Sequence, residues 1–271
     1  MTTTLVIVLL PLLHAAGAAD APHTLPEGFI LIAHRGVVTD TIAENSLSSL
    51  EETIRRGYTH MEVDLRCTKD GQAVCLHDVN LRRIAANRKN VHELTLEELR
   101  ALVPEERAPS FETFCAKAAG RIQLMPDLKD CPDALKDAFA HSVEASLEKH
   151  KLMQQALFIG RRNIARRFHG EGCQSLCVSY EDAKKNTEEK LGGKYFAFNH
   201  ASDFDAETVK EFQKLGVKVI VSINIFHYRG RDPIVRGKAD VKRMLEYGVD
   251  GLQIDSVYDT ILFGDKKEAS E

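Results

Sequence analysis

Two acidic side chains, Glu62 and Asp64, stand two residues apart at the end of an apolar run. Residues i and i+2 of a β-strand point to the same face of the sheet, so the two carboxylates would lie close together. Like charges at such a distance repel each other unless a positive group lies between them. Carboxylate oxygens are the preferred ligands of hard cations, and we therefore expect the pair to bind one divalent ion, either Ca²⁺ or Mg²⁺.

Basic and proton-transferring side chains end three further apolar runs. His34 and Arg35 follow the first run, and His77 follows a short run after the acidic pair. A histidine changes its charge near neutral pH and can act as a general acid or base, and an arginine fork matches phosphate oxygens. Asp127 and Lys129 follow another run and again share a face. They could add a third carboxylate ligand and a second group for phosphate, or they could form a local ion pair on the surface.

The elements that would position these residues alternate along the chain. Extended apolar runs are separated, in most cases, by amphipathic helical patterns, which is typical of a parallel sheet. Only seven residues separate the runs 60–65 and 73–77, too few for a parallel crossover, so these two runs must form a hairpin. Eight parallel strands remain, and the sequence predicts a (β/α)8 TIM barrel with a hairpin after its second strand. The predicted extended runs are 29–33, 60–65, 73–77, 122–125, 156–159, 175–178, 195–198, 217–223 and 251–254.

The hairpin also has a predicted register. Pairing Thr68 with Gln72 places Val63 opposite His77, which brings this histidine level with the acidic pair. Active sites of such barrels lie at the C-terminal ends of the strands, where these residues would meet. We expect the polar segment 82–107 to cover the barrel mouth without forming a domain of its own. Helices are predicted at 46–56, with Ser46 as the cap, and at 239–247, among others.

Composition limits the classes of function. A chain of 271 residues with 44% hydrophobic residues is globular and long enough for one barrel, and a net charge of −4 gives no bulk attraction to nucleic acid. There is no G-x-S-x-G element, P-loop or glycine-rich dinucleotide motif, which argues against a serine hydrolase and a nucleotide-dependent enzyme. We expect a small-molecule substrate, and no sequence feature specifies an oligomer or a membrane contact.

The predicted barrel domain covers residues 28–264, and we expect the segments on either side of it to lie outside the barrel. Residues 1–19 are predicted to be a signal peptide, because the apolar run 5–13 is too short to span a bilayer and small residues suited to cleavage follow it. The protein is therefore expected to be exported, to the periplasm or the medium. Residues 265–271 form a charged tail.

The six cysteines permit disulfide bonds in an exported chain but do not assign them. Cys173 and Cys177 stand four residues apart on a predicted strand, too far apart to bond each other. We expect most of the six to be free and buried. The six are Cys67, Cys75, Cys115, Cys131, Cys173 and Cys177.

Six short motifs follow one another along the chain: His34-Arg35-Gly36, Ala43-Glu44-Asn45-Ser46, Glu62-Val63-Asp64, Thr68-Lys69-Asp70-Gly71, His77-Asp78 and Asp127-Leu128-Lys129. Together the six are far more specific than any one of them, and Asp255 belongs to a seventh, closing motif of the same kind. Motifs of these kinds occur in the same order in glycerophosphodiester phosphodiesterases, and the sequence resembles that family over about residues 29–263.

The resemblance implies metal-dependent hydrolysis of glycerophosphodiesters to glycerol 3-phosphate and an alcohol, through a cyclic phosphate. It implies that His34 and His77 share the acid and base roles and that Glu44 and Asn45 support the site. It further implies that the substrate phosphate contacts Arg35 and Lys129, and that the metal ligands are Glu62, Asp64 and Asp127. Asp127 stands where the family usually has a glutamate, so its carboxylate reaches about one methylene less far, which bears on the affinity and identity of the metal.

Two alternatives stay open. The same barrel could act on lysophospholipids or on sugar phosphodiesters, or it could bind a phosphate ligand without turning it over. Exposed apolar residues at the rim would favour a lipid substrate, and the candidates are Phe204 and the run Phe226-His227-Tyr228.

Overall fold

The computed structural model describes residues 24–168, 175–188, 194–230 and 232–264. The predicted signal peptide, the charged tail and Cys173 lie outside these residues, as does the prediction that Cys173 and Cys177 remain unbonded. Within the described ranges, no helix is long and apolar enough to cross a membrane.

Eight parallel strands form a closed ring, as the sequence predicts. Seven successive pairings run from β1 through β9, β8, β7, β6, β5 and β4 to β2, and a pairing of β1 with β2 closes the circle. The remaining strand, β3, lies outside this ring and pairs with β2 in the antiparallel direction. The strands are β1 Ile30–Ala33, β2 His60–Cys67, β3 Ala73–Cys75, β4 Gln123–Leu128, β5 Leu157–Gly160, β6 Ser175–Cys177, β7 Tyr195–His200, β8 Lys218–Ile223 and β9 Gly251–Ile254.

The hairpin of β2 and β3 has the predicted register. Leu65 pairs with Cys75, and the Thr68 amide donates to the Gln72 carbonyl oxygen at 2.9 Å. The Leu76 amide donates to the Asp64 carbonyl oxygen at 2.9 Å, so the chain returns to the level of the acidic pair just before His77.

Helices occupy the crossovers, and the first is capped as predicted. The side chain of Ser46 accepts from the Ser49 amide, which satisfies a free donor in the first turn of α1. The prediction of 239–247 for a later helix was wrong at its start, because α9 already begins at Pro233, a residue whose fixed φ favours the first helical position. The helices are α1 Leu47–Arg56, α2 Arg82–Ala85, α3 Leu96–Arg100, α4 Phe111–Ala118, α5 Lys136–Lys149, α6 Arg162–Ala165, α7 Tyr180–Glu188, α8 Ala206–Lys214, α9 Pro233–Glu246 and α10 Thr260–Phe263.

The core has an inner and an outer part. Register partners in parallel strands share a face, and Ile32 is aligned with His60 while Met125 is aligned with Glu62. These inward positions hold a small apolar cluster below the acidic residues, to which Ile220 also belongs. The larger cluster packs the outer face of the sheet against the helices. Apolar side chains therefore fill most of the base of the barrel, with His60 among them, and the charged groups lie towards the C-terminal ends of the strands.

The segment that follows the hairpin forms the expected cover. It contains α2 and α3, and its apolar residues, such as Leu81 and Leu99, pack with Val74 and Leu76 of the hairpin in a small cluster of their own. The cover is thus attached to the barrel through β3 and shares a core with it, which fixes its position beside the site.

Candidate active site

Three carboxylates converge at the C-terminal ends of β2 and β4. The register aligns Asp64 with Asp127, and Glu62 lies two residues earlier on the same face of β2. One oxygen from each of the three side chains lies within 4.8 Å of the others. Glu62 and Asp64 are each 1% exposed. Gly160 leaves room for this group, because a Cβ at that position would lie 2.4 Å from Asp127 Oδ1. The expectation that Glu62, Asp64 and Asp127 lie close together agrees with the structure.

Two positive side chains lie against the carboxylates. Lys129 Nζ is 2.6 Å from Asp64 Oδ1 and also contacts Asp127 Oδ2. Arg35 Nε is 3.3 Å from Asp64 Oδ2, and the Arg35 backbone amide donates to Glu62 Oε2 at 2.7 Å. Arg35 adopts a left-handed φ of 56°, which turns its amide towards β2. The two predicted phosphate ligands therefore lie beside the predicted metal ligands.

The electrostatics of this group favour one more cation. Burial, together with the nearby charges of Asp64 and Asp127, raises the pKa of Glu62 well above its ordinary value. Burial acts in the same direction on Asp64, but Lys129 and Arg35 outweigh it and lower the pKa of this carboxyl. Two positive side chains thus compensate some of the acidic charge and leave Glu62 uncompensated. Three close carboxylates, two of them buried, fit a hard divalent cation.

The two supporting residues hold the charged group from the side of β1. Asn45 is 1% exposed, its Nδ2 donates to Asp64 Oδ2 at 2.7 Å, and its Oδ1 accepts from the Asp64 amide at 3.0 Å. Glu44 Oε2 accepts from Arg35 at 3.0 Å. Asn45 therefore fixes the carboxylate plane of Asp64, and Glu44 fixes the guanidinium.

His34 ends β1 and is oriented by a residue from the opposite end of the chain. Its Nδ1 lies 2.7 Å from Asp255 Oδ1, and the other oxygen of Asp255 accepts from the Ile225 amide at 2.6 Å. A histidine held through one ring nitrogen presents the other to a substrate. The sequence places Asp255 in a closing motif, but only the ring of strands brings it to His34, because β1 and β9 are neighbours.

His77 is held in a similar way by the cover. Its Nδ1 lies 2.9 Å from Asp78 Oδ1, and Arg83 donates to the other carboxylate oxygen of Asp78 at 2.7 Å. The hydrogen bond from Arg83 is the main reason why the pKa of Asp78 is lowered to about 2. Arg83 also contacts Glu44. Sequence reasoning missed Arg83, whose role depends on how the cover folds back over the hairpin.

The two histidines, the three carboxylates and the two positive side chains beside them line a cavity of about 610 Å³ at the barrel mouth. We call one side of it the charged wall, formed by Arg35, Glu62, Asp64, Asp127 and Lys129. The opposite side, which we call the neutral wall, carries residues from the ends of β7, β8 and β9, and His227 is the one of them that the sequence analysis named as a rim candidate. The neutral wall consists of Asn199, His200, Ser222, Asn224, His227 and Gln253.

The neutral wall carries no charge at neutral pH. The rings of His200 and His227 lie 4.3 Å apart, centre to centre. Burial, with the neighbouring His200 and His34, lowers the pKa of His227 to about 4, and burial also lowers the pKa of His200. Below them Ser222 Oγ donates to Gln253 Oε1 at 3.0 Å, and Asn224 Nδ2 donates to the same oxygen at 3.0 Å. This wall therefore offers hydrogen-bonding groups without net charge.

The rim carries one large aromatic side chain. Phe226 is 59% exposed, and its ring centre lies 5.8 Å from that of His34. Phe204 and Tyr228 are each 5% exposed, so these two candidates do not form part of an exposed apolar rim. Phe204 packs against Phe212, and the Tyr228 hydroxyl donates to Asp240 at 2.8 Å.

Comparison with known families agrees with this geometry. The model of the glycerophosphoryl diester phosphodiesterase family matches residues 34–217, which is more than half of the chain. The chain therefore belongs to this family, and the resemblance drawn from the six motifs is confirmed.

Curated relatives match over shorter stretches. The chain is 33% identical over 73 residues to a glycerophosphodiester phosphodiesterase of Caldanaerobacter subterraneus, a stretch covering 27% of this chain and 30% of that protein. It is 31% identical over 106 residues to lysophospholipase D GDPD1 of Mus musculus, covering 39% of this chain and 33% of that protein. For the first curated relatives, the matched stretches span 21–45% of the relative's own length.

Solved structures confirm the predicted barrel. A glycerophosphoryl diester phosphodiesterase from Parabacteroides distasonis superposes with a TM-score of 0.69 at 19% identity, over 90% of this chain and 88% of that one. A phosphodiesterase from Oleispira antarctica, in complex with the product sn-glycerol-3-phosphate, superposes with a TM-score of 0.64 at 21% identity, over 86% of this chain and 94% of that one. At these identities the likeness establishes the fold.

Proposed function

We propose that the protein hydrolyses glycerophosphodiesters to glycerol 3-phosphate and an alcohol with the help of one divalent cation. The observation that carries the proposal is the charged wall, in which three carboxylates within 4.8 Å alternate with two positive side chains in a cavity that His34 and His77 also line. Family membership supports the reaction class. The Oleispira antarctica phosphodiesterase structure holds sn-glycerol-3-phosphate, which is the product that the proposed reaction would release.

Glu62, Asp64 and Asp127 would hold the cation. Because the donors are all carboxylate oxygens, Ca²⁺ and Mg²⁺ are the candidate ions. When bound, the cation would balance charge on the phosphate and lower the pKa of a hydroxyl group that it contacts. Arg35 and Lys129 would bind the phosphate oxygens and stabilise the charge that develops on them.

The two histidines would move the protons of a two-step reaction. One takes the proton of the glycerol 2-hydroxyl as this oxygen attacks phosphorus, and the other donates a proton to the departing alcohol, which leaves a cyclic phosphate. The roles then reverse as water opens the ring. The Nδ1 atoms of His34 and His77 face carboxylates, so the Nε2 atoms remain for the substrate.

The test is the release of glycerol 3-phosphate from glycerophosphocholine and glycerophosphoethanolamine, measured with Ca²⁺, with Mg²⁺ and with EDTA. We expect release that depends on the metal and is abolished by EDTA. The variants His34→Ala and His77→Ala should each lose about 10²-fold to 10⁴-fold in kcat. Full activity of either variant would remove that histidine from the mechanism, and an inactive wild-type protein with both metals would refute the proposed substrate class.

A lysophospholipid is the second candidate substrate, because the rim is apolar. Phe226 stands beside His34, and Val38, Ile225 and Val257, between 39% and 44% exposed, lie on the loops that follow β1, β8 and β9. An acyl chain leaving the cavity would cross these side chains and remove apolar surface from water. Release of choline from lysophosphatidylcholine, at rates exceeding those with glycerophosphocholine, would favour this candidate, and the reverse order would exclude it.

A further inference from the structure

Two thiols lie beside each other just beyond the charged wall. Cys67 is the last residue of β2, and Cys131 lies in the loop that follows β4. The two strands are parallel neighbours, with Leu65 aligned with Leu128. Continuing this register past the strand ends places Cys67 level with position 130, one residue from Cys131.

The resulting separation suits a covalent bond between the two side chains. Neighbouring strands lie about 4.8 Å apart and rise about 3.3 Å per residue, so a diagonal pair has a Cα separation of about 6 Å. Disulfide-bonded cysteines have Cα atoms about 4.4–6.8 Å apart. Cys67 belongs to the main apolar cluster, and Cys131 packs against that same cluster. Both are free thiols in this structure.

The two thiols are also near enough to affect each other's ionisation. The hydrogen bond between them is the main reason why the pKa of Cys131 is lowered and that of Cys67 is raised. Cys67 is 2% exposed and Cys131 is half-buried, so the sulfur with the more thiolate character is also the more accessible one.

We propose that Cys67 and Cys131 are a disulfide-forming pair that reacts with oxidants of the disulfide class, such as oxidised glutathione. Cys131 attacks the small disulfide and releases one small thiol, and Cys67 then displaces the second small thiol from Cys131. Each protein thiol loses one hydrogen, one S–S bond forms within the protein, and the oxidant is reduced to two thiols.

The disulfide between Cys67 and Cys131 would restrain the strands that carry the charged wall. It would tie the segment that follows Asp127 and Lys129 to the strand that carries Glu62 and Asp64. A cross-link between distant chain positions lowers the entropy of the unfolded chain, so the oxidised protein should unfold at a higher temperature than the reduced one. This inference concerns the thiols alone, and its tests do not depend on the proposed reaction.

Peptide mapping tests the pairing directly. The full-length protein is incubated with oxidised glutathione, its remaining thiols are alkylated, and it is digested with trypsin without reduction. Cleavage at the flanking basic residues places Cys67 in peptide 67–69 and Cys131 in peptide 130–136. We expect these two peptides to be linked, with a mass two hydrogens below their sum, and to separate on reduction. Separate alkylated peptides, or a stable glutathione adduct on Cys131, would overturn the proposal.

Matched variants test which cysteine attacks the oxidant first and whether the disulfide raises the Tm. In Cys67→Ser the glutathione adduct on Cys131 should accumulate, since nothing resolves it. The wild-type Tm should rise by a few degrees on oxidation and by nothing in Cys131→Ser. Cys115→Ala is the control, because Cys115 and its neighbour Cys75 are fully buried and should not react. A wild-type Tm that is equal in both states would contradict the predicted stabilisation by the disulfide.

Discussion

The two walls of the cavity differ in charge and in the kind of interaction that joins their side chains. The charged wall, at the ends of β1, β2 and β4, consists of ionic side chains that contact one another directly. The neutral wall, at the ends of β7, β8 and β9, consists of amides, a hydroxyl and neutral imidazoles joined by hydrogen bonds. Of the two walls, the charged wall is the one that could neutralise a phosphodiester, so we place the proposed reaction there.

This difference suggests a division of labour. Polar groups without charge discriminate between ligands by shape and hydrogen bonding, whereas a charged group mainly attracts the opposite charge. We therefore assign the chemistry to the charged wall and the choice of the alcohol to the neutral wall and to Phe226 above it. Changes in the charged wall should lower turnover of every substrate, and changes across the cavity should alter the ranking of substrates.

The largest effect is expected from Glu62→Gln. The amide keeps the volume of the side chain but removes one charge from the cation site, so metal-dependent turnover should fall by at least about 10³-fold. Steady-state assays and calorimetric titration with Ca²⁺ and Mg²⁺ measure the two consequences. Glu51→Gln is the control, because Glu51 is half-exposed and pairs with Arg121 on the surface. Unchanged cation affinity in Glu62→Gln would contradict the assignment of the charged wall.

A second prediction separates the pH dependence of the fold from that of the site. His60 shares the inward face of β2 with Glu62 but lies near the base of the barrel, where burial, and to a lesser extent Lys218, lowers its pKa to about 4. Its folded pKa lies below its unfolded value of about 6.5, so the unfolded chain binds more protons between these values. The stability from neutral His60 is therefore complete above about pH 6.5 and is lost as the pH falls towards 4.

The loss should amount to about 3 kcal/mol, since one pKa unit corresponds to about 1.4 kcal/mol. Urea unfolding at pH 7 and at pH 4 measures it as the difference between wild type and His60→Gln, which lacks the titrating group. His150→Gln is the control, because His150 is only partly buried and lies beside Glu112, outside the barrel interior. If wild type and His60→Gln lost stability equally on acidification, His60 would not be the group responsible.

The sequence predicts the charged wall because its chemistry requires particular residue types at particular places. Glu62, Asp64 and Asp127 could be grouped in advance because parallel barrel strands bring their C-terminal ends together. His77 could be placed because the length of the hairpin fixes its register, and the structure confirms this.

The neutral wall had no comparable signal. His200 and His227 show no ligand spacing in the sequence, and residues such as Asn224 and Gln253 serve equally well as buried structural groups. Phe204 could be named only as a rim candidate because an exposed and a buried phenylalanine look alike in a sequence, and the structure shows it buried against Phe212. The contacts made by Asp255 and Arg83 depend on long-range closure of the ring and on folding of the cover.

Asp255→Asn should have a smaller effect than a change within the charged wall. Asp255 does not line the cavity; one of its carboxylate oxygens contacts His34 Nδ1, and the other accepts from the Ile225 amide. Losing this orientation should lower kcat by about 10-fold to 100-fold and leave KM nearly unchanged, because proton transfer depends on geometry. Steady-state kinetics on glycerophosphocholine measure both constants, with the exposed Asp203→Asn as control. A rise in KM at constant kcat would place Asp255 in substrate binding instead of in the orientation of His34.

The smallest effect should come from Phe226→Ser, and it should depend on the substrate. Phe226 is exposed above His34, so it can contact an acyl chain but not the buried phosphate end of a short substrate. Loss of this aromatic surface should lower kcat/KM for lysophosphatidylcholine by about tenfold, equivalent to about 1.4 kcal/mol, and change that for glycerophosphocholine by less than about twofold.

Val235→Ser is the matched control for this change. Val235 is 66% exposed, but it lies on α9 and does not line the cavity, so neither substrate should be affected. If Phe226→Ser lowered turnover of both substrates equally, Phe226 would act through His34. That result would contradict the assignment of substrate choice to Phe226. If it affected only the lipid, the apolar rim would determine how well a substrate with an acyl chain competes for the charged wall.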